Sequence, residues 1–123
     1  MPSPRVLVVE DEPLIAMMVQ DWLEELSCRP VGPASSVTAA LDLVGAGSLD
    51  GAILDVTLGD EQSFPIADEL LKRGVPFAFA TGHGADSLEP RFANALVLAK
   101  PFDQTDFSNV IGRMLGGVRL KSD

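Results

Sequence analysis

Five polar residues carry the chemistry this sequence has to offer: Glu10, Asp11, Asp55, Thr81 and Lys100. Each stands at the end of a short apolar run. Glu10-Asp11 follows Arg5-Val6-Leu7-Val8-Val9, and Asp55 follows Gly51-Ala52-Ile53-Leu54. Thr81 closes Pro76-Phe77-Ala78-Phe79-Ala80, and Lys100 closes Ala95-Leu96-Val97-Leu98-Ala99. Scattered carboxylates usually do no more than solvate a surface. Here three carboxylates, a hydroxyl and a lysine fall at the ends of four separate runs. Carboxylates held together repel one another unless a cation sits among them, and hard oxygen ligands suit Mg²⁺. Lys100 adds a point positive charge for a carboxylate or a phosphoryl oxygen, and Thr81 can donate a hydrogen bond. Together such groups stabilise the charge on a phosphoryl group moving onto an aspartate nucleophile.

The elements that must position these residues alternate between strand and helix. The first run is nearly continuous and rich in β-branched residues, as in a strand buried on both faces of a parallel sheet. Pro13 suits the first turn of a helix. From Leu14 to Leu26 the residues Leu14, Met17, Met18, Trp22 and Leu26 recur at helical spacing, opposite Gln20, Asp21, Glu24 and Glu25, and are read as the core face. A weaker strand covers Pro30 to Ala34. Ser35 or Ser36 caps a second helix through Ala39, Ala40, Leu43 and Val44. The third strand is Gly51 to Val56, followed by a Gly-rich acidic loop and a helix from Phe64 to Lys72 that Gly74 stops. The segment between the fourth and fifth strands is short and contains Pro90, so its helix is brief or irregular. A last helix runs from near Asp103 to about Leu115, and the tail from Val118 to Asp123 frays. Alternation with short links predicts an α/β fold, a parallel sheet covered by helices on both faces. Ligands of such a sheet bind beyond the carboxyl ends of its strands, where the five polar residues fall.

Composition narrows the function classes. The chain has 123 residues, 46% of them hydrophobic, which fits one compact domain filling residues 1–123. No stretch approaches a membrane span of ~20 apolar residues, and no signal peptide is read at Met1 to Arg5. The expected location is therefore cytoplasmic. Net charge is −9, which disfavours nucleic acid as a partner. Cys28 is the only cysteine, so no intrachain disulfide forms, and it is read as a small residue near a helix end rather than an activated thiol.

The run Val8-Val9-Glu10-Asp11-Glu12-Pro13, the strand-end Asp55, Thr81 and Lys100-Pro101-Phe102 resemble the response-regulator receiver family, in spacing as well as residue type, over essentially the whole chain. The resemblance implies a doubly wound, flavodoxin-like (βα)5 fold with five parallel strands in the order 2-1-3-4-5. It also implies a single receiver with no output domain. Asp55 then corresponds to the phosphoacceptor, which also ligates Mg²⁺, and Asp11 to a direct Mg²⁺ ligand, with Glu10 acting mainly through water. The backbone carbonyl of Thr57 supplies another ligand, Thr81 is the switch hydroxyl, Lys100 is the family's lysine, and the Lys100–Pro101 bond is cis. The implied donor is a histidine kinase and the output an unknown downstream protein. Contact is expected through the fourth and fifth helices and fifth strand, by a monomer or a phosphorylation-dependent dimer. Promotion of its own phosphotransfer and acyl-phosphate hydrolysis would also follow, without making the chain a conventional enzyme.

One position departs from the family pattern. Val97 stands where most receivers carry the Tyr or Phe that changes rotamer on activation. Pro76-Phe77-Ala78-Phe79-Ala80-Thr81-Gly82 instead resembles the alphaproteobacterial Phe-Ala-Thr-Gly ("FAT GUY") subgroup, which typically lacks that aromatic and is often paired with kinases of the HWE/HisKA2 type. His83-Gly84 departs from the Gly-Tyr often found there. His83 is read as an exposed loop residue ahead of a gate for hydrolysis. Asp60 and Glu61 are read as solvated loop charges, and Glu12 as favouring the first helix N-terminus. Two other functions remain open. A phosphorylation-independent interaction module is favoured by Val97 but opposed by the intact Asp11, Asp55, Thr81 and Lys100. A small phosphatase or nucleotide enzyme would need a cap or Gly-rich loop that the sequence lacks.

Overall fold

A computed structural model describes residues 3–82 and 87–116. His83, Gly84 and the tail from Val118 onward, singled out above, lie outside the described residues. The elements in chain order are β1 (Arg5–Val9), α1 (Pro13–Glu25), β2 (Arg29–Ala34), α2 (Val37–Ala46), β3 (Gly51–Asp55), β4 (Thr57–Leu58), β5 (Glu61–Gln62), α3 (Phe64–Lys72), β6 (Phe77–Thr81), β7 (Leu96–Ala99) and α4 (Gln104–Leu115). Five strands form one parallel sheet in the order β2-β1-β3-β6-β7. Counting only these five, this is the expected order 2-1-3-4-5, with the doubly wound α/β architecture.

Alternation along the buried strands feeds two cores, one on each face of the sheet. Leu7, Val9, Leu54 and Phe79 pack with Ala40, Val44, Ile66 and Leu70 of α2 and α3. Val6, Val8, Ile53 and Leu98 pack with Val19, Leu23, Phe107 and Ile111 of α1 and α4. Phe79 and Phe107 are completely buried. Each ring contributes about 2–3 kcal/mol of burial.

The helix ends follow local chemistry. Ser36, not Ser35, caps α2, its Oγ accepting the Ala39 N–H at 3.1 Å. Asp103 and Asp106 form a reciprocal capping box on α4. The Glu12 side chain makes no cap bond on α1. Gly74 follows α3 with φ +69°, as a stop at that position requires.

Three details depart from the sequence reading. The core face of α1 is Ala16, Val19, Leu23 and Leu26, whereas Leu14 is 79% and Met17 56% exposed. At 100° per residue those two lie on the far side of the helix from Val19 and Leu23, so the apolar stripe read from sequence mixed two faces. The loop after Asp55 contains a small antiparallel hairpin, β4–β5, pairing Thr57 with Gln62 and Leu58 with Glu61. The Gly32–Pro33 bond is cis as well as Lys100–Pro101. Gly32 has φ +103° beside an irregularity in the β1–β2 pairing, and a Cβ there would lie 3.0 Å from the Val8 carbonyl oxygen. Between β6 and β7 the described residues include a short 3-10 helix, Pro90–Phe92, in keeping with the brief helix expected there. No described helix is long and apolar enough to cross a membrane.

Candidate functional site

Strand ends converge at one edge of the sheet. Glu10 directly follows β1, where its N–H donates to the Ala34 carbonyl at 3.0 Å and prolongs the sheet by one residue. Asp55 is the last residue of β3, and the Val56 N–H donates to Ala80 of β6 at 3.1 Å. Thr81 ends β6, and its carbonyl accepts the Lys100 N–H at 2.9 Å. These backbone bonds fix where the side chains emerge.

Lys100 joins two of the carboxylates. Its Nζ lies 3.1 Å from Asp55 Oδ2 and 3.1 Å from Glu10 Oε1. Glu10 and Asp55 are only 6% and 9% exposed, while Asp11 is exposed beside them. Carboxylate oxygens of Glu10, Asp11 and Asp55 all lie within 4.8 Å of one another. Asp11 Oδ2 accepts the Gly59 N–H at 2.8 Å, and the Glu12 N–H donates to Glu10 Oε2 at 3.2 Å.

This crowding perturbs the titrating groups. Burial pushes the Glu10 carboxyl up to about 7, helped by a hydrogen bond to Asp55 and its negative charge. The Glu12 N–H and Lys100 oppose that rise without cancelling it. Burial pulls the Lys100 ammonium down, but Asp55 and Glu10 together outweigh it and hold it above the ordinary lysine value. Among the described residues, one ammonium beside three carboxyl groups leaves net negative charge at this edge. A hard divalent cation fits that donor set, and Glu10, Asp11 and Asp55 are the side chains placed to hold it.

Glu10, Asp11, Asp55 and Lys100 are therefore brought together. Thr57, itself exposed, opens the hairpin two residues after Asp55, and the hairpin touches Asp11 through Gly59. The hydroxyl of Thr81, 3% exposed, lies 3.0 Å from Ser87 Oγ. Ser87 was not singled out in the sequence, since nothing in a serine six residues after Thr81 signals that contact. Glu61 does more than solvate the loop: its Oε1 accepts the Val37 N–H of α2 at 3.2 Å. Asp60 is exposed. Cys28 is buried, which together with Asp50 raises its thiol to about 11, so it stays protonated at neutral pH.

Comparison with known proteins follows the same lines. Residues 6–111 match the family model for the response regulator receiver domain. Phyllosphere-induced regulator PhyR of Methylorubrum extorquens is 35% identical over 117 residues, covering 92% of this chain and 44% of PhyR. The chain thus spans less than half the length of that relative. The solution structure of SdrG from Sphingomonas melonis Fr1 is 45% identical, with a TM-score of 0.83 over 94% of this chain and 99% of SdrG. The BeF3-activated conformation of SdrG is 46% identical, with a TM-score of 0.79 over 94% of this chain and 100% of that one.

Proposed function

Because the chain belongs to the response-regulator receiver family, we propose that it is a phosphorylation switch in a two-component relay, with Asp55 as phosphoacceptor. The observation that carries this reading is the contact of Asp55 with Lys100 inside the three-carboxylate cluster. In the proposed transfer, an Asp55 carboxylate oxygen attacks the phosphorus of a kinase phosphohistidine. The P–N bond breaks, and its electron pair leaves with the imidazole nitrogen. Lys100 holds positive charge against the carboxylate and, after transfer, against a phosphoryl oxygen. Thr81 donates its hydroxyl to the transferred group. Glu10, Asp11 and Asp55, with the Thr57 carbonyl, would hold Mg²⁺, which when bound would neutralise the carboxylates and the incoming phosphoryl charge.

The donor in this reading is a histidine kinase, and the Pro76–Gly82 motif supports one of the HWE/HisKA2 type. Output passes through a downstream protein in the cytoplasm, with the receiver a monomer or a phosphorylation-dependent dimer. A second reading, a module that binds partners without phosphorylation, is favoured by Val97, a half-buried aliphatic residue on β7.

Beryllofluoride, a phosphoryl mimic, separates the two readings when amide shifts are followed by NMR. The switch reading expects Mg²⁺-dependent shifts centred on Asp55, Thr81 and Lys100, absent in Asp55→Asn. Unchanged spectra, or the same response in Asp55→Asn, sink it.

A further inference from the structure

Thr81 and Asp55 start on opposite sides of the sheet. Asp55 pairs in register with Ala80, so Thr81 lies one residue beyond it. Alternation sends Asp55 to the side of Ile53 and Ala78, in the core beneath α1 and α4. It sends Thr81 to the side of Phe79, in the core beneath α2 and α3. To meet a phosphoryl group on Asp55, the Thr81 hydroxyl must swing over the end of β6.

In the unphosphorylated chain that hydroxyl is engaged, 3.0 Å from Ser87 Oγ. Ser87 is on a short tether. Three residues later begins the Pro90–Phe92 turn, which is anchored twice. Phe92 is buried, stacked on Phe64 and set edge-on to Phe79. Arg91 donates to both carboxylate oxygens of Asp68 on α3, at 3.2 and 2.9 Å. The anchored turn limits how far Ser87 can follow Thr81, and a swing beyond that reach would part the two hydroxyls whichever is the donor.

Resting on the receiver reading, we propose that Ser87 is a positioning residue that restrains activation. Its hydroxyl holds Thr81 in the unphosphorylated orientation, and the phosphoryl group on Asp55 must compete for Thr81 against it. Phosphorylation then releases Ser87 along with engaging Thr81. The change reaches the Ser87–Glu89 segment up to the Arg91–Phe92 anchor, a route that does not need an aromatic residue at Val97.

The test is a beryllofluoride titration at saturating Mg²⁺, followed by NMR, on the full chain and four variants. Ser87→Ala is expected to bind the mimic about two- to ten-fold more tightly, the factor that one net hydrogen bond supports. Ser87→Thr, which keeps the hydroxyl, should bind like the unmodified chain. In a Thr81→Ala background, adding Ser87→Ala should change nothing, because the competing partner is already gone; a merely structural loss would persist there. Unchanged or weaker binding by Ser87→Ala, while the unmodified chain still responds through Asp55, overturns this inference alone. Absence of any Asp55-dependent response in the unmodified chain overturns the receiver reading and this inference with it.

Discussion

Lys100 Nζ lies 3.1 Å from Asp55 Oδ2, although 45 residues separate the two in the chain. The contact is set by the fold on either side of it. Asp55 ends β3, and Lys100 directly follows β7, two strands away across β6. Beyond Lys100, the ring of Phe102 packs between Trp22 of α1, at 6.0 Å, and Phe107 of α4, at 6.2 Å. That wedge holds the loop while the ammonium reaches back to the carboxylates.

Replacing Lys100 removes the one cation that meets these carboxylates among the described residues. Lys100→Met is expected to slow phosphorylation by a small phosphodonor about a hundredfold, the order found when a single charge-stabilising donor is lost. Lys100→Arg should not restore it, because a planar fork does not reproduce a point charge touching two different carboxylates. Rates taken from intact mass against time check both; a rate for Lys100→Met equal to that of the unmodified chain contradicts the assignment.

Stability should depend on pH through Glu10. Its carboxyl is raised to about 7 in the folded chain, above the unfolded value of 4.5, so the folded state binds a proton more tightly. The associated stability is present in full below about 4.5 and is lost as pH rises through about 7. The change is of order 2–3 kcal/mol. Urea unfolding in EDTA between pH 5 and 8 should show stability falling with rising pH, and Glu10→Gln should flatten that slope. A slope unaffected by the substitution argues against Glu10 as its source.

Phe92 anchors a connection that has little regular structure of its own. It packs against Phe64, Phe77 and Phe79. Phe92→Ala is expected to lose about 3–5 kcal/mol by urea titration, the range for a buried aromatic. A loss below about 1 kcal/mol would mean that the turn collapses over the vacancy and does not hold the β6–β7 connection.

Ser63 offers the opposite sign. Its Oγ is buried with no hydrogen-bond partner among the described residues, and the side chain makes no cap bond on α3. Ser63→Ala removes a buried polar atom with nothing to satisfy it and should stabilise by up to about 1 kcal/mol. Destabilisation on denaturant titration would reveal a partner for that hydroxyl.

The parallel sheet and the polar strand ends were legible in the sequence because they rest on local patterns, whereas the strand order came only from the resemblance to the receiver family. Short β-branched apolar runs such as Val6–Val9, bounded by charged and turn residues, read as strands buried on both faces, and a residue closing such a run falls at the carboxyl edge. That Lys100 meets a carboxylate was expected from the same placement; that it meets both Asp55 and Glu10 was not. What was not legible depends on contacts between distant segments. Leu14 and Met17 look like core residues until the azimuth of α1 is fixed by Val19 and Leu23 packing on the sheet. Glu61 looks like a loop charge until the β4–β5 hairpin brings it to Val37. Ser87 carries no local signal at all; only the path of the chain after β6 brings it to Thr81.

The role of Asp55 is tested most directly by intact-mass and peptide mapping after incubation with Mg²⁺ and acetyl phosphate. A single phosphoryl group on Asp55 is expected, absent in Asp55→Asn and in EDTA. An unmodified mass, or a phosphoryl group that persists in Asp55→Asn, would contradict its assignment as the acceptor.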